Sequence, residues 1–166
     1  MRTMTRGVSF TVALTFTLLM AAAVPALADN ARWDGDDSST MDLARVATAA
    51  RGSSVRFSAR FHDPIDWTKR PVVGFHLNTR GGRGIDRDIF LQRRGGHPIC
   101  RVSSQHRFIG KMHPPKVTED SISCSVKRRM LGTNGSPVRW NVSAVYLEDI
   151  SAEADYAPDA GMIRRI

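Results

Sequence analysis

Val55, Phe57, Ala59 and Phe61 are separated by Arg56, Ser58 and Arg60. Only an extended chain turns such an alternation into one oily and one wet face. The pattern recurs in Val73, Phe75 and Leu77 set against Gly74, His76 and Asn78. It returns in Ile89 and Leu91, in Cys100 and Val102, in Ile122, Cys124 and Val126, and from Val138 through Trp140, Val142 and Ala144 to Tyr146. Leu43 to Ala50 precedes the first of these runs, across the turn Arg51-Gly52-Ser53-Ser54. The other separators are turn chemistry too: His62-Asp63-Pro64, Arg80 to Gly84, Gly95-Gly96-His97-Pro98 and Gly132 to Pro137. No stretch beyond residue 28 sustains a helical period. A half-buried strand needs a second apolar layer to cover it. The expected fold is therefore all-β: a single antiparallel β-sandwich, jelly-roll-like, of about seven to nine short strands.

The two ends read differently. Arg2 and Arg6 form a positive head, Val8 to Val24 is apolar and uncharged, and Ala26-Leu27-Ala28 has the small-x-small form that signal peptidase accepts. Residues 1–28 are thus expected to be a secretory signal peptide, and the protein to be secreted or associated with the cell envelope. No second apolar run approaches the roughly 20 residues a span needs, so no membrane span is expected after cleavage. Residues 29–40 read as an acidic flexible arm, 41–147 as the sandwich and 148–166 as an acidic tail.

Cys100 lies in phase with Val102, and Cys124 with Ile122 and Val126, so both sulfurs point into the apolar layer. In an exported chain this pair is expected to be oxidised. Closing a loop of about 25 residues is worth roughly 3–4 kcal/mol in the chain-entropy model.

Charge is segregated. Residues 43–147 carry 19 Lys and Arg against six Asp and Glu, while five acids fall in residues 29–42 and five more in residues 148–159. Arginine supplies most of the positive charge, and it grips carboxylate and phosphate bidentately. Export argues against nucleic acid as the partner and favours envelope polyanions or acidic glycans. Arg56, Arg60, Lys127 and Arg139 face away from the apolar layer and are the candidate ligand-binding cations. In Lys127-Arg128-Arg129 the phase of Val126 makes Lys127 the strand's last, outward residue, so the triplet reads as a solvated strand end rather than a pocket. Trp140 is in phase with the core. Trp67 and Trp33 are out of phase, and either could stack on a sugar or cover an end of the sandwich.

The order of parts resembles exported actinobacterial β-sandwich proteins of poorly characterised function. Their early strand pair is like VRFSARFHD, a strand like VVGFHLNTR runs into a glycine-rich turn, and SCSVKRRMLGTNGSPVRWNVSAVY is followed by an acidic tail like DYAPDAG. The arrangement is similar to jelly-roll modules of the carbohydrate-binding, galactose-binding-like kind, and implies a sandwich with a sugar ligand. Asn78 stands where such modules often have Asp, and Lys127 or Arg128 where proline is common.

Local catalytic motifs are missing. His62, His76, His97, His106 and His113 are scattered without the i, i+2 or i, i+4 pairing of a zinc site. There is no Gly-x-Ser-x-Gly, and Gly82-Arg83-Gly84 lacks the third glycine of a dinucleotide loop. Asp63 and Asp66, and Asp86 and Asp88, are carboxylate pairs of the kind that does acid–base work across a cleft, but near neighbours in loops read as turn-formers. Asp34-Gly35-Asp36-Asp37 resembles part of a calcium loop without EF-hand spacing, and is read as a solvated acidic segment. No cofactor or catalytic residue is expected. The expected function is an exported, non-catalytic binding or interaction module for a glycan or polyanion. A hydrolase with a loop-borne site, or an accessory protein–protein interaction domain, is the alternative.

Overall fold

The computed structural model describes residues 30–33, 41–80, 84–105, 107–133, 138–148, 154–157 and 163–164. The strands are β1 (Asn30–Trp33), β2 (Leu43–Arg51), β3 (Ser54–Phe61), β4 (Pro71–Asn78), β5 (Arg87–Arg94) and β6 (His97–Ser104). They continue with β7 (Arg107–Lys111), β8 (Lys116–Val117), β9 (Ser121–Lys127), β10 (Arg139–Tyr146), β11 (Asp155–Ala157) and β12 (Ile163–Arg164). A single helical turn, α1 (Arg128–Leu131), follows β9, and a 3-10 turn spans Trp67–Lys69. One sheet has the order β1-β2-β3-β9-β8; the other runs β11-β10-β4-β5-β6-β7, with β12 also on β10. The pairings are antiparallel, and the two sheets form the expected sandwich.

The alternation sorts the side chains as the sequence requires. Val55, Phe57, Ala59 and Phe61 are buried while Arg56 and Arg60 are exposed; on β10 every second residue from Trp140 to Tyr146 is buried. Phe57 of the five-stranded sheet meets Phe75 of the seven-stranded sheet edge-on at 5.2 Å, and Phe75 meets Trp140 at 5.9 Å. Such aromatic pairs add about 0.5–1.5 kcal/mol to their area burial. Cys100 on β6 and Cys124 on β9 are disulfide-bonded. Because β6 and β9 belong to different sheets, the bridge staples the two layers.

The sheets also take in residues from both acidic flanks, beyond the expected limits of 41 and 147. β1 pairs with β2 through residues expected to form a flexible arm, and β11 pairs with β10 through residues expected to form a tail. At four and three residues, each segment is too short for a period of two to identify it. Backbone ladders recruit them, and a ladder leaves no side-chain signature. In β11, Ala157 and Asp155 are buried, and Asp155 Oδ2 accepts the N–H of Leu43 at 2.6 Å. The flanking strands, with the short edge strands β7 and β8, raise the count above the expected seven to nine. The signal peptide and the Asp34–Asp37 stretch lie outside the described residues. Among the described residues no helix is long and apolar enough to cross a membrane.

Candidate functional site, a basic cleft

The outer face of the five-stranded sheet is built almost entirely from arginine, serine and alanine. Register places Arg45 beside Arg60, Ala47 beside Ser58, Ala49 beside Arg56, and Arg51 beside Ser54. On the other side of β3, Ser54 faces Lys127, Arg56 faces Ser125, Ser58 faces Ser123, and Arg60 faces Ser121. Small residues between the cations leave a low floor from which the long side chains project. No strand position on this outer face holds Asp or Glu.

Its cations are not equivalent. Arg56 Nη2 donates to Ser123 Oγ at 3.0 Å, which holds the guanidinium along the sheet. Arg60 Nε donates to Asp120 Oδ2 at 2.8 Å, so its charge is compensated locally. The Thr118 hydroxyl, which donates to Asp120 Oδ1 at 3.1 Å, and the Arg60 guanidinium hold the Asp120 carboxyl below the ordinary range. Such an exposed pair contributes little stability.

At the Lys127 end this face runs into a cleft of about 570 Å³ lined by Ser54, Lys111, Met112, His113, Pro114, Ser125, Lys127, Arg129 and Met130. Three cationic side chains and a histidine therefore face one concavity, and among the described residues its lining includes no carboxylate. The local sequence builds it directly. β9 ends at Lys127, whose extended backbone precedes α1; α1 then stops at Gly132, which adopts φ +66°. The Arg87 guanidinium would approach within 2.6 Å of a Cβ at position 132, so both backbone angle and space call for glycine. The short helix lifts Arg129 to the mouth of the cleft, while Leu131 is buried beneath it. Lys127 is thus the outward end of its strand, as expected, but the triplet also contributes two walls of a pocket, which strand phase alone did not suggest.

The other candidate residues lie elsewhere. Arg139 is on β10, opposite Asn78, in the seven-stranded sheet. Trp67 occupies the 3-10 turn before β4 and packs partly against the core. With Arg93, Gly96, Pro98 and Val117 it lines a separate hollow of about 240 Å³. Trp33 lies in β1 opposite Arg45. The structure therefore unites Arg56, Arg60 and Lys127 on one face and separates Arg139 and Trp67 from them. Sequence reasoning gave no ligand-binding role to Arg45, Arg51, Lys111, His113 or Arg129. Arg45 and Arg51 flank the alternating run and could have been read from it; Lys111 and His113 reach the cleft only through folding. Among the described residues no three His, Cys, Asp or Glu side chains are grouped to hold a metal ion.

No family model, curated protein or solved structure matches this chain.

Proposed function

We propose that this protein is an exported binding module that engages an anionic polymer, such as an acidic or phosphate-bearing glycan of the cell envelope. The observation that carries this reading is the convergence of Lys111, Lys127 and Arg129 on one cleft with no carboxylate among the described residues of its lining. Concave, one-signed clefts focus potential and concentrate counter-ions more strongly than a convex surface with the same charge. The adjoining floor carries Arg56 and serine hydroxyls along the strands, which suits a ligand with repeated anionic groups better than a single small ion. Arginine supplies paired donors to each oxyanion, and lysine a mobile point charge.

The test is retention on an acidic glycan and on a neutral glycan, at about 0.05 M and about 0.5 M salt. Screening lengths shorten from more than about 10 Å to less than about 8 Å over this range. Binding to the acidic glycan should be strong at low salt, weak at high salt, and severely reduced by K127A/R129A. Trp67→Ala should leave it unchanged. Salt-insensitive retention on the neutral glycan, lost with Trp67→Ala, would transfer the site to the Trp67 hollow and sink the proposal.

A further inference from the structure

The outer face of the seven-stranded sheet holds a different chemistry. His76 on β4 and Asp88 on β5 are direct cross-strand partners, and His76 Nδ1 lies 2.8 Å from Asp88 Oδ1. On the other side of the ring, His76 Nε2 lies 2.8 Å from Ser143 Oγ of β10. A carboxylate can only accept, so Nδ1 carries the proton of the neutral ring, and Nε2 is left as the acceptor for the Ser143 hydroxyl. Carboxylate, imidazole and hydroxyl thus stand in the order, and at the atoms, used to activate a serine. His76 and Asp88 are partly exposed, at 19% and 15% of their side-chain surface, and Ser143 is likewise only partly buried.

A second observation concerns room. Gly74 lies mid-strand in β4, beside Ser143 on one side and Phe90 on the other. A Cβ at this position would come within 3.1 Å of His76 Cε1 and Nε2, and within 3.2 Å of Ser143 Oγ. Glycine inside a strand costs stability and marks close approach. Here it leaves space for the imidazole to lie across the strand toward the hydroxyl. The Phe90 ring meets the imidazole edge-on at 6.3 Å and limits its swing on the far side.

We propose that Ser143, His76 and Asp88 form an acyl-transfer site that hydrolyses small, unhindered carboxylic esters. The site lies on the opposite sheet from the basic face and adds an activity to the binding function. Ser143 Oγ bonds to the ester carbonyl carbon while its proton passes to His76 Nε2. The carbon–oxygen bond to the alcohol then breaks, and the leaving oxygen takes the proton from Nε2. Water attacks the acyl-serine, gives a proton to Nε2 and releases the acid; Oγ recovers the proton. Asp88 is a positioning residue that fixes the ring's tautomer. The substrate class follows from the surroundings. Val145 and Tyr156 adjoin Ser143 by sequence and register, and Phe90 flanks the ring. They provide apolar contact beside an open sheet, which suits a short acyl chain. Asn141 is directly across from His76 and two residues from Ser143 on the same face, with its Oδ1 buried and unpartnered; its Nδ2 is the group that would have to donate to the developing oxyanion.

The experiment uses the full chain, oxidised and folded. Incubation with a fluorophosphonate probe, followed by peptide mass analysis, should find the label on Ser143, and p-nitrophenyl acetate should be hydrolysed with the acetyl group passing through Ser143. H76Q should lower both rates by about 10²-fold or more, and S143A should abolish labelling with an unchanged melting temperature. D88N should lower kcat while leaving KM unchanged, a split that loss of a purely structural bond would not produce. Folded wild-type protein that leaves Ser143 unlabelled, or that is labelled equally well as H76Q, would overturn the proposal. Neither result bears on retention by the acidic glycan, so the two readings stand or fall separately.

Discussion

Asp155 and Leu43 are 112 positions apart in sequence, yet the Leu43 N–H donates to Asp155 Oδ2 at 2.6 Å in a buried setting. The bond ties β11, close to the C-terminus, to the first residue of β2 in the other sheet. D155A removes a charged acceptor and leaves a buried N–H unpaired. It should lower the free energy of unfolding by about 1–3 kcal/mol, read by urea denaturation. An unchanged midpoint would mean that the segment is not integral to the sandwich.

The staple between Cys100 and Cys124 should behave as a link between layers. Thiol titration of unfolded, unreduced protein should find no free thiol. Replacing both cysteines with alanine should cost roughly 2–5 kcal/mol. Two free thiols per chain would contradict the sandwich register as well as the bond.

Stability should fall at both ends of the pH scale. The Thr68 hydroxyl and N–H donate to Asp66 and hold its carboxyl low, as Thr118 and Arg60 do for Asp120. A depressed folded-state value means that the unfolded chain binds the proton more readily. This stabilisation is therefore present above about pH 4 and is lost as pH falls through the folded values. Tyr146 is the reverse case. Burial raises its phenol above the ordinary value of 10.0, partly offset by the Asp66 N–H that donates to its oxygen at 2.9 Å. Its contribution is intact below pH 10 and is lost as pH rises through the folded value. Urea unfolding across pH should show both limbs; because the bonds to Asp66 and Asp120 are exposed, T68A/T118A should reduce the acid one only slightly, and Y146F should flatten the alkaline one. An alkaline limb that survives in Y146F would assign it to another group.

Gly132 should resist substitution. G132A places a side chain at φ +66° and within 2.6 Å of the Arg87 guanidinium. The expected loss is about 1 kcal/mol for the backbone conformation, plus whatever the displaced Arg87 forfeits through its bonds to the Asp86 carbonyl and Ser104 hydroxyl. Because α1 carries Arg129 to the cleft, the variant should also bind the acidic glycan less tightly. Wild-type affinity in G132A would separate the helix end from the site.

The alternation of apolar and polar residues determined a good deal by itself. A strand has a side-chain period of two, so the sequence of β3, β4, β9 and β10 states which residues meet the core. It stated equally that Cys100 and Cys124 point inward and that Arg56, Arg60 and Lys127 point outward. What it did not contain is which strands lie side by side. β1 and β11 join their sheets through backbone hydrogen bonds, which are common to all residues, and segments of four and three residues are too short for a side-chain period to reveal them. Asp86 is the turn-former that its spacing suggested, accepting from Thr79 and Arg80. Asp88, two residues later, is carried by the hairpin register to His76. The two sites arise differently. In the Ser143–His76–Asp88 array antiparallel pairing converts remote positions into neighbours about 5 Å apart. The cleft instead brings Lys111 of β7 in one sheet to Lys127 and Arg129 at the end of β9 in the other, through the packing of the two layers. Periodicity fixes the face on which a residue stands; only the tertiary pairing decides what stands next to it.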